Sequence, residues 1–229
     1  MDTSAPALAA APFDPPLTAL EARVLGCLIE KEFATPDLYP LTHNALINAC
    51  NQRSNRAPVM AIESPALEVA IEGLRRHRVV AHFTGAEARA AKFKQTLDLV
   101  HPVEPEVRAL LAELLLRGPQ TTAGLRGNAE RMLPLPEVME LETRLAELAG
   151  GPMPLVRKLP RQSGQKEARW AQLFTGEPAA DEGAAAAEPM TVTVRTALPP
   201  EAEQRLAMLE AEVARLGAEL LRLRAALGE

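Results

Sequence analysis

Residues 64–95 read SPALEVAIEGLRRHRVVAHFTGAEARAAKFKQ. Ser64 followed by Pro65 forms a helix start, a capping hydroxyl with proline at the first helical position. Leu67, Ala70, Ile71 and Leu74 then recur at the spacing that lays an apolar stripe along a helix, which is expected to end at His77. Beyond it the period shortens. Val79–Phe83 and Ala91–Gln95, separated by a turn containing Gly85, have the composition and spacing of the two arms of a β-hairpin. Lys92 and Lys94 flank Phe93, so both side chains leave the strand on the face opposite to it.

Two helices precede this segment. Thr18 and Glu21 have the capping-box spacing, with Leu17 placed as a hydrophobic staple, and Leu20, Val24, Cys27 or Leu28, and Phe33 continue the buried stripe until Thr35-Pro36-Asp37 stops it. Thr42 caps a second helix carrying Leu46, Ile47 and Cys50, which ends near Asn51-Gln52. The order is therefore helix, helix, helix, hairpin.

Downstream the same order returns. Pro105–Arg117 carries Val107, Leu110, Leu111, Leu114 and Leu115 and is closed by Gly118-Pro119; Thr121 or Thr122 caps a short helix. Pro136–Leu148 carries Val138, Leu141, Leu145 and Leu148, and strands at 155–159 and 168–173 flank a basic tip, Pro160–Lys166. Recurrence of the whole order points to an internal duplication.

Three helices followed by a hairpin is the winged helix-turn-helix arrangement, in which the third helix and the hairpin commonly meet DNA. The fold class expected is mainly α with small β-hairpins: tandem winged helix-turn-helix domains plus a C-terminal coiled-coil helix. The alternative is an ordinary α bundle in which both hairpins are misread. Residues 1–16 are expected as a disordered tail, 17–100 and 101–174 as the two winged-helix domains, 175–198 as a flexible linker and 199–229 as the coiled-coil helix. As a free coil of about two dozen residues the linker would reach roughly 25–30 Å, and Thr191–Val194 within it reads as an isolated strand or as coil. Leu206, Leu209, Val213, Leu216, Leu220, Leu223 and Leu227 alternate steps of three and four, a heptad seam. With Leu206 at position a, Arg205 faces Glu210 and Glu219 faces Arg224 across a parallel pair, both attractive. A homodimer through this seam is expected, the alternative being a helix folded back on its own chain.

The 229 residues are 47% hydrophobic and 24% charged, within the globular range, while aromatics supply only 3%. Such a core must be built from Leu, Val, Ile and Ala. The net charge of −5 hides a partition: residues 17–100 and 101–174 each hold 10 Lys/Arg against 9 Asp/Glu, whereas 175–229 hold 5 against 10. Bases also cluster late in each half, five of them between Arg157 and Arg169 against the single acid Glu167. No apolar run approaches the ~18 residues of a membrane span, and the acidic, proline-rich start is unlike a signal peptide. A cytoplasmic protein without membrane partners is expected. Cys27 and Cys50, both on helical segments, are expected as two buried thiols rather than a disulfide.

Residues Leu41-Thr42-His43-Asn44-Ala45-Leu46-Ile47-Asn48-Ala49-Cys50-Asn51-Gln52-Arg53-Ser54-Asn55-Arg56-Ala57-Pro58-Val59-Met60 resemble the YceH family of uncharacterised bacterial proteins. The similarity continues through 17–30, 69–80, Leu125–Met132 and the seam at 209–213, and so covers roughly 17–174 and the tail. It implies a tandem winged-helix fold and no established activity.

Enzyme chemistry is not expected. HExxH, paired CxxC, GxSxG, GxGxxG and P-loop spacings are all missing from the sequence. His43, His77, His82 and His101 fall on different elements, so neither a metal nor another cofactor is expected. The most site-like string is Asn51–Arg56: Arg53 and Arg56 offer charge and Asn51, Gln52 and Asn55 offer amides to phosphate oxygens, or the same amides simply cap helix two and fix the loop. Lys92 and Lys94 in the first hairpin, and Arg161 and Lys166 at the second tip, complete the candidate DNA-binding set. Against base reading stand Glu68, Glu72, Glu137, Glu140 and Glu147 on the third helices, with Arg76 and Arg144 spaced to pair with Glu72 and Glu140. Two functions follow: duplex-DNA binding, with transcriptional regulation as its setting, or a winged-helix scaffold that binds protein, as some chromosome-segregation factors do.

Overall fold

The computed structural model describes residues 11–83, 91–162, 164–178 and 190–192, together with 205, 208, 209, 212, 213, 215, 216, 219 and 222. The chain divides into one compact unit, Met1–Thr193, and a second, Val194–Glu229.

Helix α1 (Ala19–Ala34) starts on the expected capping box: Thr18 Oγ accepts from the Glu21 N–H at 3.2 Å while Glu21 Oε2 accepts from the Thr18 N–H at 2.7 Å. A 3-10 turn (Pro36–Leu38) leads to strand β1 (Leu41–Thr42) and helix α2 (His43–Cys50), capped by Thr42 through the Ala45 N–H. Strand β2 (Met60–Ile62) precedes helix α3 (Ser64–Arg76). Strands β3 (Val80–Phe83) and β4 (Lys92–Gln95) form the expected antiparallel pair, and helix α4 (Leu97–Val100) follows. Strand β1 adds to the far edge of β4, giving a sheet of order β1-β4-β3 with Leu41 opposite Phe93.

The second half comprises helices α5 (Pro105–Arg117), α6 (Thr122–Ala129) and α7 (Val138–Gly150), then strands β5 (Val156–Lys158) and β6 (Trp170–Gln172). A bridge between Gln120 and Trp170 repeats the β1–β4 contact in miniature. The duplication extends to single hydrogen bonds. Thr96 N–H donates to Val79 O at 2.8 Å, and Leu173 N–H to Leu155 O at 2.9 Å. Gln95 Oε1 accepts from Leu97 N–H at 2.7 Å, and Gln172 Oε1 from Phe174 N–H at 2.6 Å. The structure is thus mainly helical with small antiparallel sheets, duplicated along the chain.

The halves join through α1 and α5. Gly26 of α1 faces Leu116 of α5, and a Cβ at position 26 would lie 2.9 Å from Leu116 Cγ. Val24, Leu25, Leu28, Ile29, Leu110, Leu111, Leu114 and Leu116 are buried around this crossing, each contributing roughly 1.5–3 kcal/mol on burial.

Several expectations change. The N-terminal tail is not free up to residue 16: Phe13 is buried, with ring centroids 5.0–5.2 Å from His77, His101 and Phe174, and His101 Nε2–H donates to Pro12 O at 3.2 Å. In a chain so poor in aromatics, one Phe closing an aromatic cluster repays the ordering of this segment. The α3 N-cap is Glu63, one residue early, and Ser64 Oγ instead lies 3.4 Å from His43 Nε2. Of the two caps left open for α6, Thr121 is the one that forms. Glu72 pairs with Arg75 at 2.9 Å, not with Arg76, whereas Arg144 meets Glu140 at 2.8 Å. Within the stretch expected as linker, strand β7 (Met190–Val192) runs parallel to β2. Cys27 and Cys50 are free and buried, as expected.

In the second unit the described residues are helical, and Leu209, Val213 and Leu216 are exposed. Leu206, Leu220, Leu223 and Leu227 lie outside the described residues.

Candidate functional site

Duplication of the fold produces two equivalent grooves, each bounded by the start of a second helix, the exposed face of the third helix and the strand pair. The first, of about 470 Å³, is lined by Thr42, His43 and Asn44 of β1 and α2, Glu68, Ile71, Glu72 and Arg75 of α3, and His82, Ala91 and Phe93 of the strand segment. Besides His43 and His82 it carries two carboxylates and one guanidinium. His43 Nε2 lies 3.8 Å from Glu68, and Arg75 is held by Glu72.

The second groove, of about 440 Å³, is lined by Thr122 and Ala123 of α6, Val138, Met139 and Glu142 of α7, and Lys158, Arg161, Lys166, Glu167 and Ala168 of the strand segment. Its sign is opposite, three cations against two carboxylates. Glu142 accepts from Thr122 Oγ, from Lys158 Nζ and, at 3.1 Å, from Trp170 Nε1. Burial works to raise the Glu142 carboxyl, but hydrogen bonds from Lys158, Thr122 and Trp170 hold it below the usual range. Lys158 Nζ also sits 5.3 Å over the Trp170 ring, a cation–π contact. The carboxylate at the base of this groove is therefore internally satisfied. Arg161 and Lys166, both exposed, remain turned to solvent.

Loop 51–56 lies at the other end of α2 from the first groove; Arg53, Ser54 and Asn55 are exposed, whereas Asn51, Gln52 and Arg56 bond inward. Asn51 exchanges two hydrogen bonds with the Ile62 backbone, at 2.9 and 2.8 Å. The Arg56 side chain is completely buried, bidentate on Glu30 of α1 at 2.9 and 3.0 Å, and bonded to Ala49 O, Asn55 O and Gln52 Oε1. Arg131 Nη2 approaches the same carboxylate at 2.7 Å and Lys31 Nζ at 2.9 Å. Burial alone would raise the Glu30 carboxyl; the cations, Arg56 foremost, bring it down to about 2. Arg131 continues to Glu113, buried on α5, at 2.7 Å. The ladder Arg56–Glu30–Arg131–Glu113 thus spans both halves.

The protein-family model described as "Protein of unknown function, DUF480" matches residues 17–165. The chain belongs to the DUF480 family. The matched span holds the first groove, the charge ladder and most of the second groove. Relatives carry the family designation UPF0502. The UPF0502 protein GSU0233 of Geobacter sulfurreducens is 46% identical over 202 residues, 87% of this chain and 90% of its own length. A UPF0502 protein of Geotalea uraniireducens is 45% identical over 202 residues, 88% and 90% of the two chains. UPF0502 protein BURPS668_A1958 of Burkholderia pseudomallei is 42% identical over 209 residues, 91% and 85%. DUF480 is thus a bacterial family in which this chain aligns over most of its length.

Of the residues expected to meet phosphate, Asn51 and Arg56 are committed to internal bonds in this DUF480 chain, and Gln52 is held through its Oε1 alone. That is a correction for Arg56 above all, since Glu30 and the Ala49 carbonyl occupy its guanidinium. Arg53 and Asn55 are exposed; Lys92 and Lys94 are half-exposed on the central strand β4; Arg161 and Lys166 flank the second groove. The structure therefore does not bring the nine residues into one surface. Sequence reasoning missed Glu30, Glu113 and Arg131, and also Glu142, Lys158 and Trp170. A usable signal existed for Glu30: it follows Arg23 and Cys27 by seven and three residues, on the buried face of α1. Among the described residues no group of His, Cys, Asp and Glu is arranged to hold a metal, and no helix is long and apolar enough to cross a membrane.

Proposed function

We propose that this chain is a tandem winged helix-turn-helix protein that binds duplex DNA without catalysing a reaction, and that its second groove supplies the phosphate contacts. The observation that carries this reading is the cation set Lys158, Arg161 and Lys166 between α7 and the β5–β6 segment, where the third helix and hairpin of such folds meet the backbone. The likeness of residues 41–60 to the YceH family supports the same architecture. A regulatory role at promoters is the natural setting for such binding.

Anisotropy of a labelled mixed-sequence duplex, titrated at about 50 and 200 mM salt, tests the reading. Neutralising two phosphates through the exposed Arg161 and Lys166 gives a log–log slope of about −1.8. Arg161→Glu/Lys166→Glu should abolish binding, and emission of Trp170, the single tryptophan, should change with the wild-type complex because Lys158 lies over its ring. No salt-dependent binding at tens of micromolar protein would reject it.

A protein-binding scaffold is the second reading. The first groove is acidic through Glu68 and Glu72, and Val69 and Met139 are exposed on the third helices. A partner captured on Glu68 and Glu72, with no duplex binding, would favour it.

A further inference from the structure

Loop 52–55 faces Arg131 across a cleft of about 460 Å³ that shares no lining residue with either groove. Glu30 forms its floor; Lys31, Gln52, Arg53, Ser54, Asn55 and Arg131 line it. The floor has no acceptor to spare. Glu30 Oε1 takes Arg56 and Lys31, and Oε2 takes Arg56 and Arg131. Gln52 Oε1 accepts from Arg56 at 2.9 Å, which leaves its amide NH₂ as the end available to the cleft. The Asn55 carbonyl is likewise taken by Arg56.

Donors, in contrast, are in surplus. Arg53 is exposed and has no acceptor among the described residues. Lys31 has an ammonium with three protons and one carboxylate contact, to Glu30. Ser54 adds a hydroxyl. Three cations, Lys31, Arg53 and Arg131, line the cleft against the one carboxylate Glu30. Two positive charges are therefore uncompensated where the two halves meet. Lys31 and Arg131 are recessed, with side chains 19% and 28% exposed. That favours a compact ligand over a rigid duplex backbone.

We infer that this cleft binds the phosphate or diphosphate group of a small phosphorylated molecule. Lys31 and Arg53 supply the charge, Gln52 and Ser54 supply neutral donors, and Arg131 closes the site from the second half. The volume exceeds that of a phosphate alone and lies within the range of small-molecule sites. The site stands at the opposite end of α2, an eight-residue helix of roughly 12 Å, from the first groove, and does not depend on the DNA reading.

The test is thermal unfolding and calorimetric titration of the full chain with sodium pyrophosphate, against sodium chloride at equal ionic strength, with inorganic phosphate as a weaker probe. At about ten times its Kd, pyrophosphate should raise Tm by roughly 3–5 °C above the chloride control. Lys31→Ala and Arg53→Ala should each weaken binding about tenfold, the loss of one charge-assisted contact. Arg75→Ala, on the first groove, should leave it unchanged. Neither tested residue supports the fold: Arg53 is exposed and has no partner among the described residues, and Glu30 keeps Arg56 and Arg131 without Lys31. No heat and no shift beyond chloride would overturn the proposal, as would equal affinity in both variants. Loss of duplex binding by Arg53→Ala, with no pyrophosphate binding to wild type, would also overturn it and assign the cleft to a nucleic-acid backbone.

Discussion

Arg131 Nη2 lies 2.7 Å from Glu30 Oε2, across 101 residues of sequence and from one duplicated half to the other. Glu30 is at once the acceptor for the fully buried Arg56 guanidinium, so one carboxylate holds loop 51–56 closed and ties the halves together. Removing one partner of a buried pair leaves the other charge without compensation and costs about 3–5 kcal/mol. Glu30→Ala is expected to lose that much in urea denaturation, whereas Arg131→Ala, whose side chain is 28% exposed, should lose less. A loss under about 1 kcal/mol in Glu30→Ala would show that Arg56 escapes to solvent.

Acid should attack the same point. The folded-state carboxyl of Glu30 is lowered from 4.5 to about 2. Its contribution is therefore complete above the unfolded value and is lost as pH falls from about 4.5 towards 2, a difference of roughly 3 kcal/mol. The denaturation midpoint of wild type minus that of Glu30→Gln, followed from pH 6 to pH 3, should shrink across this window. A constant difference would contradict the assigned pairing. His101 adds to the acid sensitivity at higher pH: burial lowers its folded pKa, so its contribution is present above about 6.5 and declines as pH falls below it.

Gly26 packs α1 tightly against α5. A methyl there would meet Leu116 Cγ at 2.9 Å and Leu115 Cβ at 3.1 Å, so the helices must separate or Leu116 must leave its rotamer. Alanine normally stabilises a helix interior by up to about 1 kcal/mol over glycine; at position 26 the expected sign is reversed, with overpacking costing roughly 1–3 kcal/mol. Gly26→Val should be worse. Thermal unfolding of both variants decides this, and a gain in Tm for Gly26→Ala would mean that the junction yields without cost.

The leucine seam makes a prediction about assembly. Leu209, Val213 and Leu216 are helical and exposed, and within the chain Arg215 pairs with Glu212 at 2.7 Å and with Glu219 at 3.4 Å. Sedimentation equilibrium at tens of micromolar should report twice the 24.7 kDa chain mass, falling to a monomer when 199–229 is deleted. An unchanged monomeric mass in both proteins would reject the parallel pair.

Local signals carried much of the fold. Thr18 with Glu21, and Thr42, act over three residues and cap helices where the sequence places them, because a cap needs only its own turn. Apolar periodicity located the helices for the same reason, and the strand pairs followed from the change of period. The β2–β7 pairing joins segments about 130 residues apart, and no local pattern encodes a partner at that distance. Phe13 was equally hidden, since its burial depends on His77, His101 and Phe174 meeting in space.

The candidate sites divide along the same line. The sequence by itself determined the duplicated order of elements, the burial of Cys27 and Cys50, and the basic character of residues 157–169. Only tertiary structure decided that Arg56 belongs to Glu30 while Arg53, three residues away, faces solvent, and that Lys158 is engaged by Glu142 and Trp170 while Arg161 and Lys166 stay exposed. The two arginines of the loop differ neither in kind nor in neighbourhood along the chain. They differ in whether a buried carboxylate from another helix lies within reach, and for Arg56 that carboxylate compensates the desolvation of the guanidinium.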